Sequence, residues 1–105
     1  GLCLVGSEMC IRDSHLTRVQ AKKLVGENIL VNAIAPGPFE SMMLGAAVNH
    51  DYSFIESRNP RKRIGSPEDI AGLTIFLCSR AGAYTVGAVI PSDGGLVGTA
   101  VHDLT

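Results

Sequence analysis

The sequence has no excess of either charge and few aromatic residues. Nine lysine and arginine residues stand against ten aspartate and glutamate residues, and only 5% of the chain is aromatic. No basic stripe with interleaved aromatic residues occurs, so binding to nucleic acid is disfavoured. Arg58 and residues 61–63 form the one basic cluster. We interpret this cluster as a solvated loop, with a phosphate or partner site as the alternative.

Metal-ligand spacing and long apolar runs are also missing. Three cysteines (Cys3, Cys10 and Cys78) and three histidines (His15, His50 and His102) are scattered along the chain. We therefore expect free thiols in a reducing compartment and no metal site. No apolar run approaches the roughly 18 residues that a membrane span needs, and the first five residues are too short for a secretory signal. We expect a soluble cytoplasmic protein without membrane or nucleic-acid partners.

Residues 1–14 lack the order of the rest of the chain. They show no sustained helical or strand period, and the chain begins with glycine rather than methionine. They also resemble peptides translated from sequencing-adapter DNA at the broken ends of gene fragments. We predict that residues 1–14 are a non-native leader and that residues 15–105 are the C-terminal portion of one domain. The alternative is a genuine but divergent segment.

The stretch Asn28–Ser41 organises the remaining sequence. A nearly unbroken apolar run over residues 29–31 and 33–35 ends abruptly in Pro36-Gly37-Pro38, as in a strand that is buried on both faces of a parallel sheet. Pro36 marks the strand end, and Gly37 would supply the positive φ of a type II turn. Ligands bind beyond the carboxyl ends of such strands. The sequence therefore places a candidate site just after Pro36.

Helix signals flank this strand. Residues 15–25 form a mostly amphipathic helix, for which Ser14 is the predicted N-cap and Gly26 the predicted C′ residue. A stronger start follows at Ser66-Pro67, with Asp69 at the capping-box position, and predicts a helix through about Ser79. Its buried stripe is expected at Ile70, Leu73, Thr74 and Leu77. A second buried strand is predicted at residues 84–91, and the two strands would form a parallel pair with a right-handed crossover.

Residues 42–63 form a long connection between these elements. A short helix is expected near residues 42–48, interrupted at residues 49–51. Connections of this length often form a lid over a site. Four apolar or aromatic residues in it could shape a substrate pocket or could serve ordinary packing, and both interpretations stay open: Met42, Met43, Tyr52 and Phe54.

Four motifs in this order resemble the C-terminal part of the short-chain dehydrogenase/reductase family: VNAIAPGPFES (31–41), RIGSPEDIA (63–71), YTVG (84–87) and DGG (93–95). The similarity runs from about His15 to Leu96 and is greatest to reductases of 3-oxoacyl thioesters. It implies an α/β fold, the C-terminal part of a doubly wound parallel-sheet (Rossmann-type) NAD(P)-binding domain that is incomplete in this chain.

The resemblance also implies site residues. Pro36 and Gly37 would line the nicotinamide pocket of a bound NAD or NADP. The backbone of Phe39 would bond the carboxamide, and Ser41 would offer it a hydroxyl. The family's substrate is a small carbonyl or alcohol, and its members form homo-oligomers, commonly dimers or tetramers.

The sequence also departs from the family pattern. No glycine-rich phosphate loop is present, and the family's catalytic Tyr and Lys would fall at Gly6 and Cys10, neither of which can serve. The family's serine would precede residue 1. We therefore assign no catalytic residue and predict that this chain is an inactive part of an NAD(P)-dependent oxidoreductase. The alternative is a non-catalytic association module that uses residues 36–63 and the C-terminal tail.

Overall fold

The structure, a computed structural model, describes residues 8–100, with side chains from Arg12 onward. In chain order the elements are α1 (Glu8–Leu24), β1 (Ala33–Pro36), α2 (Met42–Ala47), α3 (Ser53–Arg58), α4 (Pro67–Cys78) and β2 (Val89–Ser92). Single 3-10 turns at Val25–Glu27 and Arg80–Gly82 follow α1 and α4. The chain divides into two compact units. One joins the segment ending at Ile34 with Phe76–Ile90, and the other joins Ala35–Ile75 with the segment starting at Pro91.

Helix α1 is longer than predicted at its start. Ser14 lies inside it, so the predicted N-cap is wrong. Residues 8–14 contain no proline or glycine that would stop a helix. The Thr17 hydroxyl donates to the carbonyl of Asp13, one helical turn earlier in α1, at 2.8 Å. The assignment of residues 1–14 as a non-native leader stays a prediction, and residues 1–7 lie outside the described part of the chain.

The end of α1 also differs from the prediction. Asn28, rather than Gly26, adopts the left-handed conformation, with φ of 62°, and its N–H donates to the Val25 carbonyl at 3.0 Å. Asparagine tolerates this conformation because its short polar side chain bonds locally. The chain therefore makes one extra 3-10 turn before it leaves the helix. Lys22 and Lys23 occupy the last turn of α1, where their charge suits the negative end of the helix dipole.

Strand β1 pairs with β2 in a two-stranded sheet. Ala33 donates to the Ala88 carbonyl at 2.8 Å and Gly37 donates to the Ser92 carbonyl at 2.9 Å. The donor and acceptor residue numbers increase together along the two strands, so the predicted parallel pairing is confirmed. The odd-numbered residues of this stretch donate their N–H groups to β2. Pro36 is even-numbered, so its nitrogen, which carries no hydrogen, faces the opposite edge. Proline can therefore end this strand without costing a bond to β2.

Burial of β1 is lower than the sequence predicts. Ala33 and Ile34 are half-buried, whereas Ala35 and Pro36 are exposed. The prediction of a strand buried on both faces is therefore wrong for this chain. The physical reason is that β1 has one neighbouring strand in the described sheet, so its other edge has no covering strand there.

The side chain of Asn32 explains why β2 begins later than predicted. Its Oδ1 accepts from the Ala88 N–H at 2.9 Å, and its Nδ2 donates to the Thr85 carbonyl at 2.9 Å. Gly87 beside these groups has φ of 71°. A carboxamide thus takes the place of strand pairing before Val89. The predicted strand start at Tyr84 is wrong, and that side chain is fully exposed.

Helix α4 begins at Pro67 and ends at Cys78, as predicted. Asp69 Oδ2 accepts from the Ser66 N–H at 2.8 Å and from the Ser66 hydroxyl at 3.0 Å. Only the acidic half of the capping box forms, because the Asp69 N–H donates to the Ser66 carbonyl rather than to its hydroxyl. The predicted buried stripe is half-buried at Ile70, Leu73 and Leu77, and it is wrong at Thr74, which is exposed.

The described residues contain almost no buried core. Ala21 is their one buried hydrophobic residue, at 2% exposure, and a Cβ built at Gly87 would lie 3.4 Å from the Ala21 Cβ. Many large apolar side chains stay exposed instead, among them Leu16, Val19, Ile29, Ile75, Phe76 and Val97. Helix and strand faces of this kind are normally covered by a further layer.

Candidate functional site

The candidate site begins at Gly37, immediately after β1. A Cβ at position 37 would lie 2.6 Å from the Cβ of Asp93 and 2.7 Å from its Cα. Gly37 is not among the glycines with positive φ, so the predicted type II turn is wrong. Glycine is required here because the backbone of β1 passes close to Asp93 at the end of β2.

Phe39 pairs with Gly65 in an isolated parallel bridge. Gly65 donates to the Pro38 carbonyl at 2.9 Å, and Glu40 donates to the Gly65 carbonyl at 3.3 Å. In this geometry the N–H and C=O of Phe39 itself point away from Gly65. Neither group has a hydrogen-bond partner within residues 8–100. Phe39 therefore presents a free backbone donor and acceptor side by side.

Ser41 is the N-cap of α2. Its Oγ accepts from the Leu44 N–H at 3.1 Å, which fixes the hydroxyl oxygen while leaving its hydrogen available to donate. The residue is exposed. The four predicted cofactor residues (Pro36, Gly37, Phe39 and Ser41) therefore share one short segment, whose polar groups are the backbone of Phe39 and the hydroxyl of Ser41.

These groups fit the polar end of a nicotinamide ring. A carboxamide offers donors on its nitrogen and an acceptor at its oxygen. Phe39 can supply one acceptor and one donor from its backbone, and Ser41 can supply a second donor. Exposed Pro36 and half-buried Gly37 precede these groups in the same segment. The segment can thus orient such a ring, although the four assignments themselves stay predictions.

Helices α2 and α3 follow the candidate segment and show which side chains of residues 42–63 pack within the described part of the chain. Met42 is 91% exposed and Phe54 is 68% exposed, and Met43 is similarly open. Ordinary packing within the described residues is therefore wrong for these three side chains. Tyr52 is half-buried and serves packing, because a Cβ at Gly45 would lie 3.1 Å from its hydroxyl.

The basic cluster is largely occupied by local contacts. The Arg63 guanidinium forms a fork with Asp69, with Nη1–Oδ2 at 2.7 Å and Nη2–Oδ1 at 3.1 Å. This pairing holds the pKa of Asp69 far below its ordinary range and raises the pKa of Arg63. Lys62 Nζ donates to the Ser57 carbonyl at 2.7 Å, and the Arg58 guanidinium lies 4.7 Å from the centre of the Phe54 ring. All four residues of the cluster are exposed, as the solvated-loop interpretation predicts, but Arg58 lies in α3 rather than in a loop.

A cavity of about 370 Å³ lies between the candidate segment and the turn after β2. The cavity is lined by residues of the candidate segment, of the stretch 59–69 and of the turn after β2: Pro38, Phe39, Asn59, Arg61, Arg63, Ile64, Gly65, Asp69, Pro91, Ser92, Asp93, Gly94, Gly95 and Gly98. All of these residues belong to the unit that contains Ala35–Ile75. The cavity is large enough for a small-molecule ligand.

Asn59 is the lining residue that sequence reasoning missed. It is 2% exposed and is the one buried polar side chain among the described residues. The Asn59-Pro60 dipeptide is a turn signal that could have identified it, because an asparagine side chain often bonds the backbone two residues on. Its Oδ1 does accept from the Arg61 N–H, at 2.9 Å.

The positions implied for catalysis add no catalytic group. Gly6 lies outside the described residues, and of Cys10 only the backbone, within α1, is described. Cys78 is a free, exposed thiol. Among the residues whose side chains are described, from Arg12 to residue 100, no group of three or more is suited to a metal ion. No helix in that range is long and apolar enough to cross a bilayer.

Sequence comparison finds close relatives for most of the chain. A family profile described as enoyl-(acyl carrier protein) reductase matches residues 14–97. The rhamnolipid-biosynthesis 3-oxoacyl-[acyl-carrier-protein] reductase of Pseudomonas aeruginosa is 49% identical over 84 residues, which are 77% of this chain and 32% of the relative. The 3-oxoacyl-[acyl-carrier-protein] reductase FabG of Thermotoga maritima is 43% identical over 78% of this chain and 33% of its own length.

Solved structures give the same result for the fold. The NADP active-site complex of RhlG from Pseudomonas aeruginosa superposes with a TM-score of 0.72 at 46% identity, covering 78% of this chain and 33% of that one. A short-chain type dehydrogenase/reductase from Mycobacterium marinum superposes with a TM-score of 0.71 at 33% identity, covering 80% and 33%. The predicted fold class, a part of a doubly wound α/β domain, is confirmed. The chain spans about a third of the length of the relatives that it matches.

Proposed function

Because this chain belongs to the short-chain dehydrogenase/reductase family, we propose that it forms the nicotinamide-side part of an oxidoreductase. The whole enzyme transfers a hydride between NAD or NADP and a carbonyl or alcohol substrate. When bound, the cofactor would donate the hydride to a carbonyl or accept it from an alcohol. The residues of this chain bind and orient the ring that carries it.

The free backbone groups of Phe39 carry this proposal. They lie directly after β1, at the end of the sheet where ligands of doubly wound folds bind. The bridge bonds to Gly65 are made by the neighbouring Pro38 and Glu40, so the N–H and C=O of Phe39 point away from Gly65, and Ser41 adds a hydroxyl two residues on. Orientation of this kind contributes to catalysis by holding the reacting atoms in position. Gly37 lets the segment lie against Asp93 while this surface stays open.

The substrate proposed for the whole enzyme is a 3-oxoacyl thioester. The two sequence relatives described above are named as reductases of 3-oxoacyl groups on acyl carrier protein. The exposed side chains of Met42, Met43 and Phe54 follow the nicotinamide segment and suit an acyl chain, because flexible methionine adapts to apolar ligands of varied shape. We further propose that the whole enzyme is a homo-oligomer, a dimer or tetramer, which would cover exposed apolar residues of α4 such as Ile75 and Phe76.

We propose that this chain alone does not turn over substrate. The positions implied for the family's catalytic Tyr and Lys hold Gly6 and Cys10. Glycine cannot replace the tyrosine phenol, and cysteine cannot replace the lysine ammonium group that lowers the pKa of that phenol. The purified chain should therefore oxidise no NADPH or NADH with 3-oxoacyl thioesters beyond the rate without protein. Steady turnover by the chain alone would refute this part of the proposal.

A chimeric enzyme tests the cofactor-orienting role. Residues 14–97 would replace the matching third of the Pseudomonas aeruginosa reductase, which supplies the remaining part of the domain. We expect the chimera to bind NADPH and to reduce a 3-oxoacyl thioester. Phe39→Pro removes the backbone donor, whereas Phe39→Leu keeps it and removes only the ring. We expect a loss of about tenfold or more in kcat/KM for Phe39→Pro relative to Phe39→Leu. Equal activities in the two variants would contradict the proposed role of Phe39.

A further inference from the structure

Asn59 is buried and its carboxamide is held on both sides. Its Nδ2 donates to the Asp93 carbonyl at 3.0 Å, and its Oδ1 accepts from the Arg61 N–H at 2.9 Å. The residue is 2% exposed. A buried amide is costly when unpaired, so these bonds fix the side chain in one orientation.

The turn that Asn59 contacts is held by its own hydrogen bonds. Asp93 Oδ1 accepts from the Gly95 N–H at 2.9 Å, and Asp93 Oδ2 accepts from the Val97 N–H at 3.2 Å. Gly94 has φ of 70°, and a Cβ there would overlap the Asn59 carboxamide. The Asn59 side chain therefore lies directly against the turn, which cannot shift without breaking the bond to Asp93.

The other side of Asp93 touches the candidate site. Gly37 lies against the Asp93 backbone, and its N–H donates to the carbonyl of neighbouring Ser92 at 2.9 Å. Asp93 thus separates Asn59 from Gly37. A movement of Asp93 displaces Gly37, because the two residues are in direct contact and no side chain or gap lies between them.

Asn59 also ends helix α3. Its N–H donates to the Glu56 carbonyl at 3.2 Å, and its carbonyl accepts from the Lys62 N–H at 2.8 Å. The last residue of α3 is Arg58, so the helix that exposes Phe54 is attached to the β2 turn through Asn59. Helix α3 and the segment after β1 consequently share one anchor, the Asp93 backbone.

We propose that Asn59 is a positioning residue for the nicotinamide segment. Through Asp93 it holds Gly37 in place and fixes the end of α3 relative to Phe39 and Ser41. This inference rests on the proposed function for its ligand, whereas the coupling between Asn59 and Gly37 can be measured without any ligand. All the contacts that carry it lie within the unit that contains Ala35–Ile75.

The test uses the full chain in dilute solution with trimethylamine N-oxide, an osmolyte that favours burial. Asn59→Asp keeps the acceptor for the Arg61 N–H and removes the donor to Asp93. Asn49→Gly is the matched control, because Asn49 is exposed and its φ of 54° suits glycine. Amide hydrogen exchange is followed at Gly37 and, as a reference in the other unit, at Gly87.

We expect Asn59→Asp to accelerate exchange at Gly37 by about tenfold and to change Gly87 by less than about twofold. The control should change neither. Equal acceleration at both glycines would show general destabilisation and overturn the proposal. An unprotected Gly37 in the unmodified chain would also overturn it. Asn59→Ala, which introduces no buried charge, should give the same local pattern.

A second measurement addresses the ligand. Reduced nicotinamide mononucleotide is titrated against each variant by fluorescence, and Asn59→Asp should weaken its binding by about fivefold. Unchanged affinity despite faster exchange at Gly37 would overturn the positioning role. If the unmodified chain binds no nucleotide, the proposed function fails in this chain, and the exchange measurement still decides the coupling between Asn59 and Gly37.

Discussion

Gly37 lies directly against Asp93, with the two residues at the adjacent carboxyl ends of β1 and β2. A Cβ at position 37 would fall 2.6 Å from the Asp93 Cβ, a separation that non-bonded carbon atoms do not adopt. The Gly37 N–H also donates to the Ser92 carbonyl at 2.9 Å. The main role of glycine at this position is therefore to let the two strands approach each other, and a ligand contact would be a secondary role.

The first prediction concerns Gly37→Ala. The added methyl group must push β1 away from Asp93, so we expect a loss of about 1–3 kcal/mol in the free energy of unfolding. Urea unfolding of the chain in an osmolyte measures this loss. Gly72→Ala is the control, because no atom lies within 4 Å of a Cβ at position 72 and alanine favours the interior of α4. That variant should be more stable by up to about 1 kcal/mol. A neutral Gly37→Ala would contradict the close approach.

Local signals in the sequence predicted the start of α4 and the break after α2, but they did not predict α3. The Ser66-Pro67 start of α4 and the interruption at residues 49–51 were both correct, because capping and helix-breaking residues act over one turn. Ser14 and Gly26 were wrong as helix ends because both remain compatible with a continuing helix or 3-10 turn. At the end of α1, Asn28 took the left-handed position instead.

Long-range features could not be predicted from the sequence in the same way. The delay of β2 until Val89 depends on a bond from Asn32 to residue 88, and nothing near residue 88 indicates it. The role of Gly37 depends likewise on Asp93, which is distant in sequence. The apolar content of β1 correctly indicated a strand, but burial depends on neighbouring layers, and β1 is half-exposed in this chain.

The second prediction separates two roles of Ser41. Its oxygen caps α2 and its hydrogen is available to a carboxamide. Ser41→Asp keeps a capping oxygen and removes the donor, Ser41→Thr keeps both, and Ser41→Ala removes both. We expect Ser41→Asp to retain the stability of α2 but to weaken binding of reduced nicotinamide mononucleotide. Circular dichroism and fluorescence titration measure the two properties. Binding that follows helix stability across the three variants would show that capping alone matters.

The third prediction is an acid-sensitive contribution to stability from Asp69. The fork with Arg63 and the bonds from Ser66 lower the pKa of Asp69 in the folded state. A lowered folded pKa stabilises the fold above the ordinary aspartate pKa of about 3.9, and this contribution is lost as the pH falls further. We expect urea midpoints to fall below about pH 4 in the unmodified chain and to fall less in Asp69→Asn.

Glu68→Gln is the control for this pH dependence, because it removes a carboxylate from the same first turn without breaking the fork. It should keep the acid dependence of the unmodified chain. The effect should also shrink in high salt, since both partners are partly exposed. A pH profile of Asp69→Asn that matches the unmodified chain would contradict the proposed contribution of the fork.

The last prediction concerns self-association of the isolated chain. Among the described residues only Ala21 is a buried hydrophobic residue, while large side chains on α1, on α4 and in the residues that precede the two strands are exposed. An edge of β1 also carries backbone groups of Asn32 and Ile34 that point away from β2. Exposed apolar surface and a free strand edge are the two features that drive association between chains.

In the absence of osmolyte, we therefore expect the purified chain to sediment as oligomers at micromolar concentration and to bind a hydrophobic dye. Ile75→Lys places a charge on an exposed apolar position of α4 and should reduce association, because burying that ammonium group in a contact is costly. Thr74→Lys adds the same charge beside it without removing an apolar side chain and should have a smaller effect. A monomer with a sharp cooperative melt would contradict this prediction, since the exposed faces would then have found a cover within the chain itself.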